Sequence, residues 1–124
     1  MSLPQTNFDP PFNITRASHL VFTTRDLEKS RAFYTEVLGL IVSDEDRDTV
    51  WLRGVEERAH HSLTLKRTTA APVCERVGFR VFRDEDLDRA KAHFDRLGIP
   101  SDWAEVAHQG RTLHVSDTAG TPLE

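Results

Sequence analysis

Cysteine is nearly absent from this chain of 124 residues, in which Cys74 is the only one. A single thiol cannot form an internal disulfide, so the class of small disulfide-stabilised domains is excluded. The sequence also shows no charged-then-apolar leader and no long apolar run that would indicate secretion or membrane insertion. We therefore expect a cytoplasmic protein that does not interact with a membrane.

Basic residues are not in excess either, with 16 Lys and Arg against 20 Asp and Glu and a formal net charge of −4. The two signs are interspersed, so no basic stripe is available for a phosphate backbone, and we expect no nucleic-acid partner. Length and an apolar content of 38% indicate one domain. Residues 1–13 contain three prolines and little periodicity, which predicts a flexible N-terminal arm.

The stretch that follows the arm has the pattern of a strand, a turn and a helix. From His19 to Thr24 the residues alternate, with Leu20 and Phe22 on the predicted core face. Asp26 is a candidate N-cap, and apolar residues at helical spacing predict a helix over 27–38. Short apolar segments then predict strands over 40–46, 49–53 and 61–66.

The same order of elements returns in the second half, with strands predicted over 76–82, 100–106 and 111–117 and a helix over 84–98. Asp26-Leu27 matches Asp86-Leu87 at a separation of 60 residues (86−26). This internal repeat predicts one module over 14–124 that is built from two units, about 17–66 and 74–124. No strand equivalent to 61–66 follows the last residues, so we expect a truncated second unit with an unpaired sheet edge.

The predicted fold class is α+β, with paired units whose curved mixed sheet forms a cup and whose helices cover the outer face. If the apolar side of each strand packs on the helices, strand alternation turns the other side toward the cup. The residues predicted on that side include His19, Trp51, His60, Arg76, Arg80, His114 and Glu124. Convergent polar side chains favour a binding site, and imidazoles with a carboxylate are typical ligands of non-haem iron.

The motifs "HLVFTTRDLEKSRAFYTEVLGL", "VWLRG", "HHSLTLKR" and "DTAGTPLE" resemble the vicinal oxygen chelate superfamily of glyoxalases, bleomycin resistance proteins and extradiol dioxygenases. Within it, "RGVEERAHHSLTLKR" is most similar to the N-terminal module of type I extradiol dioxygenases that cleave catechol or homoprotocatechuate. The resemblance implies paired βαβββ units, and an Fe(II) or Mn(II) cofactor in the full-length parent.

Carried over position by position, the resemblance places His19 and Glu124 at two metal-ligand positions of the superfamily. Arg76 occupies the position of the middle histidine, and a guanidinium brings positive charge where a cation would bind. We therefore expect this module to hold neither metal nor catalytic residues, and the metal centre to lie in a C-terminal module. Without a metal, we expect Glu124 to form an ion pair with Arg76 or Arg80. We expect His60 and His61 to lie at a solvent-exposed strand end.

The predicted function is thus that of the N-terminal module of a homo-oligomeric extradiol dioxygenase, an oxidoreductase that acts on a catecholic small molecule. Two alternatives stay open. The first is a ligand-binding protein of the bleomycin-resistance type, without chemistry. The second is a glyoxalase-like metalloenzyme, which needs a four-ligand metal set and is disfavoured by Arg76.

Overall fold

The computed structural model describes residues 1–124 and contains one sheet of eight strands with two helices. The elements in chain order are β1 (Ile14–Thr24), α1 (Leu27–Ala32), a π-helical segment (Phe33–Val37), β2 (Ile41–Glu45), β3 (Thr49–Arg53), β4 (Leu63–Arg67), β5 (Cys74–Val81), α2 (Asp84–Leu97), β6 (Ser101–Ala104), β7 (Thr112–Ser116) and β8 (Pro122–Leu123). The predicted strands and helices are all present; the strand predicted over 49–53 has the expected bounds, and the others have shifted ends. No helix of the fold has the length and apolar character that a membrane span requires.

The strand order is β2-β3-β4-β1-β5-β8-β7-β6, and it repeats the same arrangement in both halves. In each half the first strand pairs in parallel with the last strand, while the remaining pairs are antiparallel. Strands β1 and β5 pair antiparallel and join the halves into one sheet. The fold is therefore the predicted pair of βαβββ units.

Strand β8 lies inside the sheet, between β5 and β7, and the edges are β2 and β6. The expectation of an unpaired edge at the end of the second unit is thus wrong, because the last strand pairs with the first strand of its own unit. Glu124 extends this pairing, since its N–H donates to Val77 O at 3.0 Å and its carbonyl accepts from Phe79 N at 2.7 Å. Residues of β5 and β7, together with Glu124, line an open cavity of about 460 Å³.

Strand β1 begins at Ile14, well before the predicted start at His19. The added residues pair with the end of β5 through two register shifts, which is why strict alternation does not reveal them. Near its end β1 also pairs with β4, so that it is hydrogen-bonded on both sides. This central place brings His19 to the middle of the concave face.

The first helix is shorter than the predicted 27–38, because regular α-helical bonding ends at Ala32 and a π-helical turn follows. Thr35 donates its hydroxyl proton to the Arg31 carbonyl at 2.8 Å, a side-chain bond that competes with the backbone ladder at this point. The changed spacing leaves Phe33, Val37 and Leu38 exposed, although helical periodicity predicted an apolar core stripe there.

The core of the first unit consists of five buried aliphatic residues, which are Leu27, Val50, Leu52, Leu63 and Leu65. Strand alternation then turns Trp51 and Thr64 to the opposite, concave face, as predicted. Leu20 departs from its predicted burial and is 38% exposed. The helices explain the difference, because α1 covers β3 and β4 while α2 covers β5, β6 and β7.

The end of the N-terminal arm contacts α2. Asn13 donates its backbone N–H and its side-chain amide to Asp86 Oδ1 at 3.0 and 3.2 Å. The other oxygen, Oδ2, accepts from Arg83 N, so that Asp86 caps the helix and is 3% exposed. The Phe12 ring packs edge-on against Phe94. Flexibility stays a prediction for the residues before Phe12.

Candidate functional site in the cup

The cup is the concave face of the sheet, and its centre is the carboxylate of Glu124. His19 donates Nε2–H to Glu124 Oε1 at 2.6 Å, and His114 donates Nε2–H to Oε2 at 3.0 Å. The side-chain amide of Gln109 donates to Oε1 at 3.1 Å. The Glu124 side chain is only 2% exposed. Both of its oxygens are therefore satisfied by protein donors.

The two arginines predicted in the cup have different surroundings. Arg76 places its guanidinium 3.9 Å from Glu124 Oε2 and donates to the Leu123 carbonyl at 3.3 Å. Arg80 is exposed near the far end of β5 and lines the open cavity of about 460 Å³ without forming an ion pair with Glu124. The positive charge nearest the carboxylate thus comes from Arg76.

The position directly across from His19 on β5 belongs to Gly78 rather than to Arg76. The imidazole lies over the Gly78 backbone so closely that a Cβ atom there would overlap ring atoms of His19. A side chain at this position would displace the imidazole from Glu124. Glycine therefore holds His19 in place by leaving room for its ring.

Four histidines lie at the side of the cup, and the ring of each contacts that of at least one other. We call His19, His60, His61 and His108 the histidine cluster. His61 is 5% exposed, so the prediction of a solvated strand end is wrong for this residue. Its ring packs edge-on against His19, and its Nδ1 lies 3.0 Å from Nδ1 of His60. The His60 ring in turn stacks on His108 with centroids 4.1 Å apart.

Two groups in this region have strongly shifted pKa values. Burial lowers the pKa of His61 to about 4, and repulsion by His19, His60 and His108 acts in the same direction. For Glu124, burial by itself would raise the pKa, but hydrogen bonds from His19 and Gln109 lead the opposing effects and lower the pKa to about 2. Near neutral pH, His61 is thus neutral and Glu124 is ionised.

The centre of the cup does not fit an iron or manganese ion of the kind that the family resemblance implies for the full-length parent. His19 and Glu124 point at each other in a direct hydrogen bond, and the nearest side chain from β5 is the cationic Arg76. The set His19, Glu124 and His114 does not bring its ligand atoms within 4.8 Å of one another. We therefore assign no reaction step to these residues.

Sequence reasoning missed His108 and Gln109, which lie on the loop between β6 and β7. Residues of this loop form one wall of a cavity of about 450 Å³ that also contains Trp51, Arg76 and His114. The Trp51 ring packs edge-on against the His108 ring, with the ring centroids 4.6 Å apart. Strand periodicity does not predict the position of a loop that folds back over a sheet. The adjacent polar residues His108 and Gln109 are the one sequence feature that could have marked this loop as part of a site.

The chain belongs to the Glyoxalase/Bleomycin resistance protein/Dioxygenase superfamily, whose family model matches residues 16–124. This match confirms the resemblance inferred from the sequence motifs. It covers every strand except the first residues of β1.

Among characterised relatives, a manganese-dependent 2,3-dihydroxybiphenyl 1,2-dioxygenase of Geobacillus genomosp. 3 is 29% identical over 90% of the chain and 36% of its own length. A metapyrocatechase of Geobacillus stearothermophilus is 27% identical over 95% of the chain and 36% of its own length. The chain therefore spans about a third of the length of these relatives.

The solved structures that resemble the chain are likewise extradiol dioxygenases. A substrate complex of homoprotocatechuate 2,3-dioxygenase from Brevibacterium fuscum, with 3,4-dihydroxyphenylacetate, superimposes with a TM-score of 0.85 and 36% identity. The match covers 94% of the chain and 37% of that enzyme. Its similarity confirms the predicted α+β fold with a curved mixed sheet.

Proposed function

We propose that this chain is the N-terminal module of an extradiol ring-cleavage dioxygenase that acts on a catecholic compound. In this proposal the Fe(II) or Mn(II) centre belongs to a C-terminal module of the full-length parent. The proposal is supported by the identity of 36% to an extradiol enzyme across 94% of the chain, together with the match to only about a third of its length.

The observation that carries the assignment of chemistry to another module is the state of Glu124. Its carboxylate accepts hydrogen bonds from His19, His114 and Gln109 and lies beside the Arg76 guanidinium. A divalent ion at this place would have to break these bonds and would lie near a fixed positive charge. The module would then act as a scaffold for the catalytic module.

We also propose that the parent functions in the cytoplasm and as a homo-oligomer. The free, exposed Cys74 fits a reducing compartment, where thiols are kept reduced. The exposed side chains of Phe33, Val37 and Leu38 provide apolar surface for association.

Oxygen uptake tests the division of labour. The 124-residue chain is incubated with Fe(II) or Mn(II) and then mixed with 3,4-dihydroxyphenylacetate, catechol or 2,3-dihydroxybiphenyl in an oxygen electrode. We expect no catechol-dependent uptake by the chain alone and uptake by the full-length parent. If Glu124 is not a metal ligand, Glu124→Gln in the parent should leave turnover within about tenfold of the wild type. Loss of a true metal ligand would instead abolish turnover.

Turnover by the isolated chain that disappears in His19→Ala would contradict the proposal and place the metal in this cup. Tight binding of a planar aromatic compound without oxygen uptake, by a parent that contains no second module, would favour the ligand-binding alternative. The enclosed position of Trp51 in the cup, 8% exposed, is the observation that supports this second candidate.

A further inference from the structure

A second group of potential metal ligands lies on the rim of the cup, away from Glu124. It consists of Asp44 on β2, His60 on the loop before β4, and His108 on the loop between β6 and β7. One ligand atom from each residue lies within 4.8 Å of the other two, and no other three His, Cys, Asp or Glu side chains in the chain meet this condition. We propose that this rim site binds a divalent transition-metal ion.

His108 already contacts the other two side chains. His108 Nε2 lies 3.1 Å from Asp44 Oδ2. The rings of His60 and His108 are nearly parallel, with an angle of 8° and centroids 4.1 Å apart. His60 directs Nδ1 at His61, and no hydrogen bond uses its Nε2. A cation would therefore find imidazole nitrogens and a carboxylate oxygen that need only small movements.

The backbone and a neighbouring ring fix the position of His108. Its φ angle of 61° is the only positive value at a residue other than glycine. Such left-handed residues are uncommon and persist where their surroundings hold them. The Trp51 ring supports the imidazole edge-on at 4.6 Å. This support keeps the His108 ring directed toward Asp44.

The donor set determines which ions fit. Two imidazoles and one carboxylate suit Zn²⁺, Co²⁺, Ni²⁺ or Fe²⁺, whereas Ca²⁺ and Mg²⁺ require mainly oxygen ligands. Three protein ligands also leave a coordination position for water in a tetrahedral ion. The rim site thus resembles an open transition-metal site more than a closed structural one.

This inference departs from the expectation that the module holds no metal, and it does not depend on the proposed function. The rim site shares no residue with the Glu124 network, and it joins β2 and the loop before β4 to a loop of the second unit. An ion there would link the two units across the cup. Metal binding should therefore also raise the midpoint of thermal unfolding.

Calorimetric titration of the tag-free chain with Zn²⁺, after removal of metals by a chelator, tests the rim site. We expect one Zn²⁺ per chain, with affinity reduced at least tenfold in His108→Ala and in Asp44→Asn. His93→Ala is the matched control, because His93 lies on α2 and should leave the titration unchanged. Zn²⁺ should raise the unfolding midpoint of the wild type and of His93→Ala, and leave that of His108→Ala unchanged.

A spectroscopic readout locates the ion. In a Trp103→Phe background Trp51 is the only remaining tryptophan, and Co²⁺ at the rim should quench its fluorescence. The quenching should disappear in His60→Ala. Circular dichroism confirms that each variant is folded, and the exposed Asp44→Asn supplies the test if a histidine variant unfolds.

Three results would overturn the proposal. The first is the absence of stoichiometric binding at millimolar Zn²⁺. The second is binding that survives both His60→Ala and His108→Ala. The third is binding that is lost only in His19→Ala, which would place the ion at the centre of the cup.

Discussion

A single missing side chain determines the geometry at the centre of the cup. Gly78 leaves the space that the His19 ring fills, and His19 in turn satisfies the buried carboxylate of Glu124. The contact could not be predicted from the sequence, because it depends on the cross-strand register between β1 and β5. This register includes shifts that alternation does not reveal.

Replacing Gly78 with alanine should destabilise the chain by about 1–3 kcal/mol, since the new methyl group would overlap the His19 ring. Urea denaturation measures the change in the free energy of unfolding. The control is Gly54→Ala, where the added Cβ meets no atom within 4 Å. His19→Ala should cost less in the Gly78→Ala background than in the wild type, and equal costs would contradict the proposed overlap.

The neutral His61 makes stability depend on pH. Its pKa of about 4 lies below the ordinary 6.5, so the unfolded chain takes up the proton first as the pH falls. The contribution of the neutral His61 to the free energy of unfolding should therefore be fully present above about pH 6.5. It should be lost as the pH falls from 6.5 to 4, which lowers the stability by on the order of 1–3 kcal/mol.

Denaturation of wild type and His61→Asn between pH 7.5 and 4 isolates this contribution, since carboxylates titrate in both chains. The stability difference between the two chains should shrink as the pH falls. An NMR titration should place the His61 midpoint well below 6. A midpoint near 6.5, or parallel pH profiles for the two chains, would contradict the assignment.

At the scale of elements, the start of α2 and the end of the N-terminal arm depend on one buried carboxylate. Asp86 accepts hydrogen bonds from two groups of Asn13 and from Arg83 N. Asp86→Ala should lower the free energy of unfolding by about 1–3 kcal/mol, because buried donors lose their acceptor. Limited proteolysis within residues 1–13 should become faster.

Asp84→Ala is the matched control at the same helix end, because Asp84 is exposed and forms no side-chain hydrogen bond. It should change stability by less than about 1 kcal/mol. Equal proteolysis rates in the two variants would show that Asp86 does not hold the arm.

At the scale of the whole molecule, the order of strands and helices was predictable because Asp26 and Asp86 begin two copies of one pattern. The cup-facing positions of Trp51 and Glu124 also followed from alternation. The π-helical turn after Ala32 and the approach of Gln109 to Glu124 did not. The first reflects a local hydrogen bond of Thr35, and the second reflects a loop that closes over the sheet.

The apolar surface of the first unit should cause the chain to self-associate. Phe33, Val37, Leu38 and Ile41 are between 37% and 69% exposed and follow one another from the π-helical segment into β2. Val37→Glu should shift light-scattering masses toward the monomer. Val55→Glu is the control, since Val55 is 72% exposed in the loop after β3. Unchanged masses in Val37→Glu would exclude this surface.

The interior position of β8 has a consequence for folding during synthesis. Among the elements of this module, Pro122 and Leu123 are synthesised last, yet they pair with β7 and with β5, which precedes them by more than 40 residues. The first unit can complete its four-stranded half once β4 has emerged. The second unit must keep β5 and β7 unjoined until β8 has emerged, so its assembly is delayed and depends on contacts that are distant in the sequence.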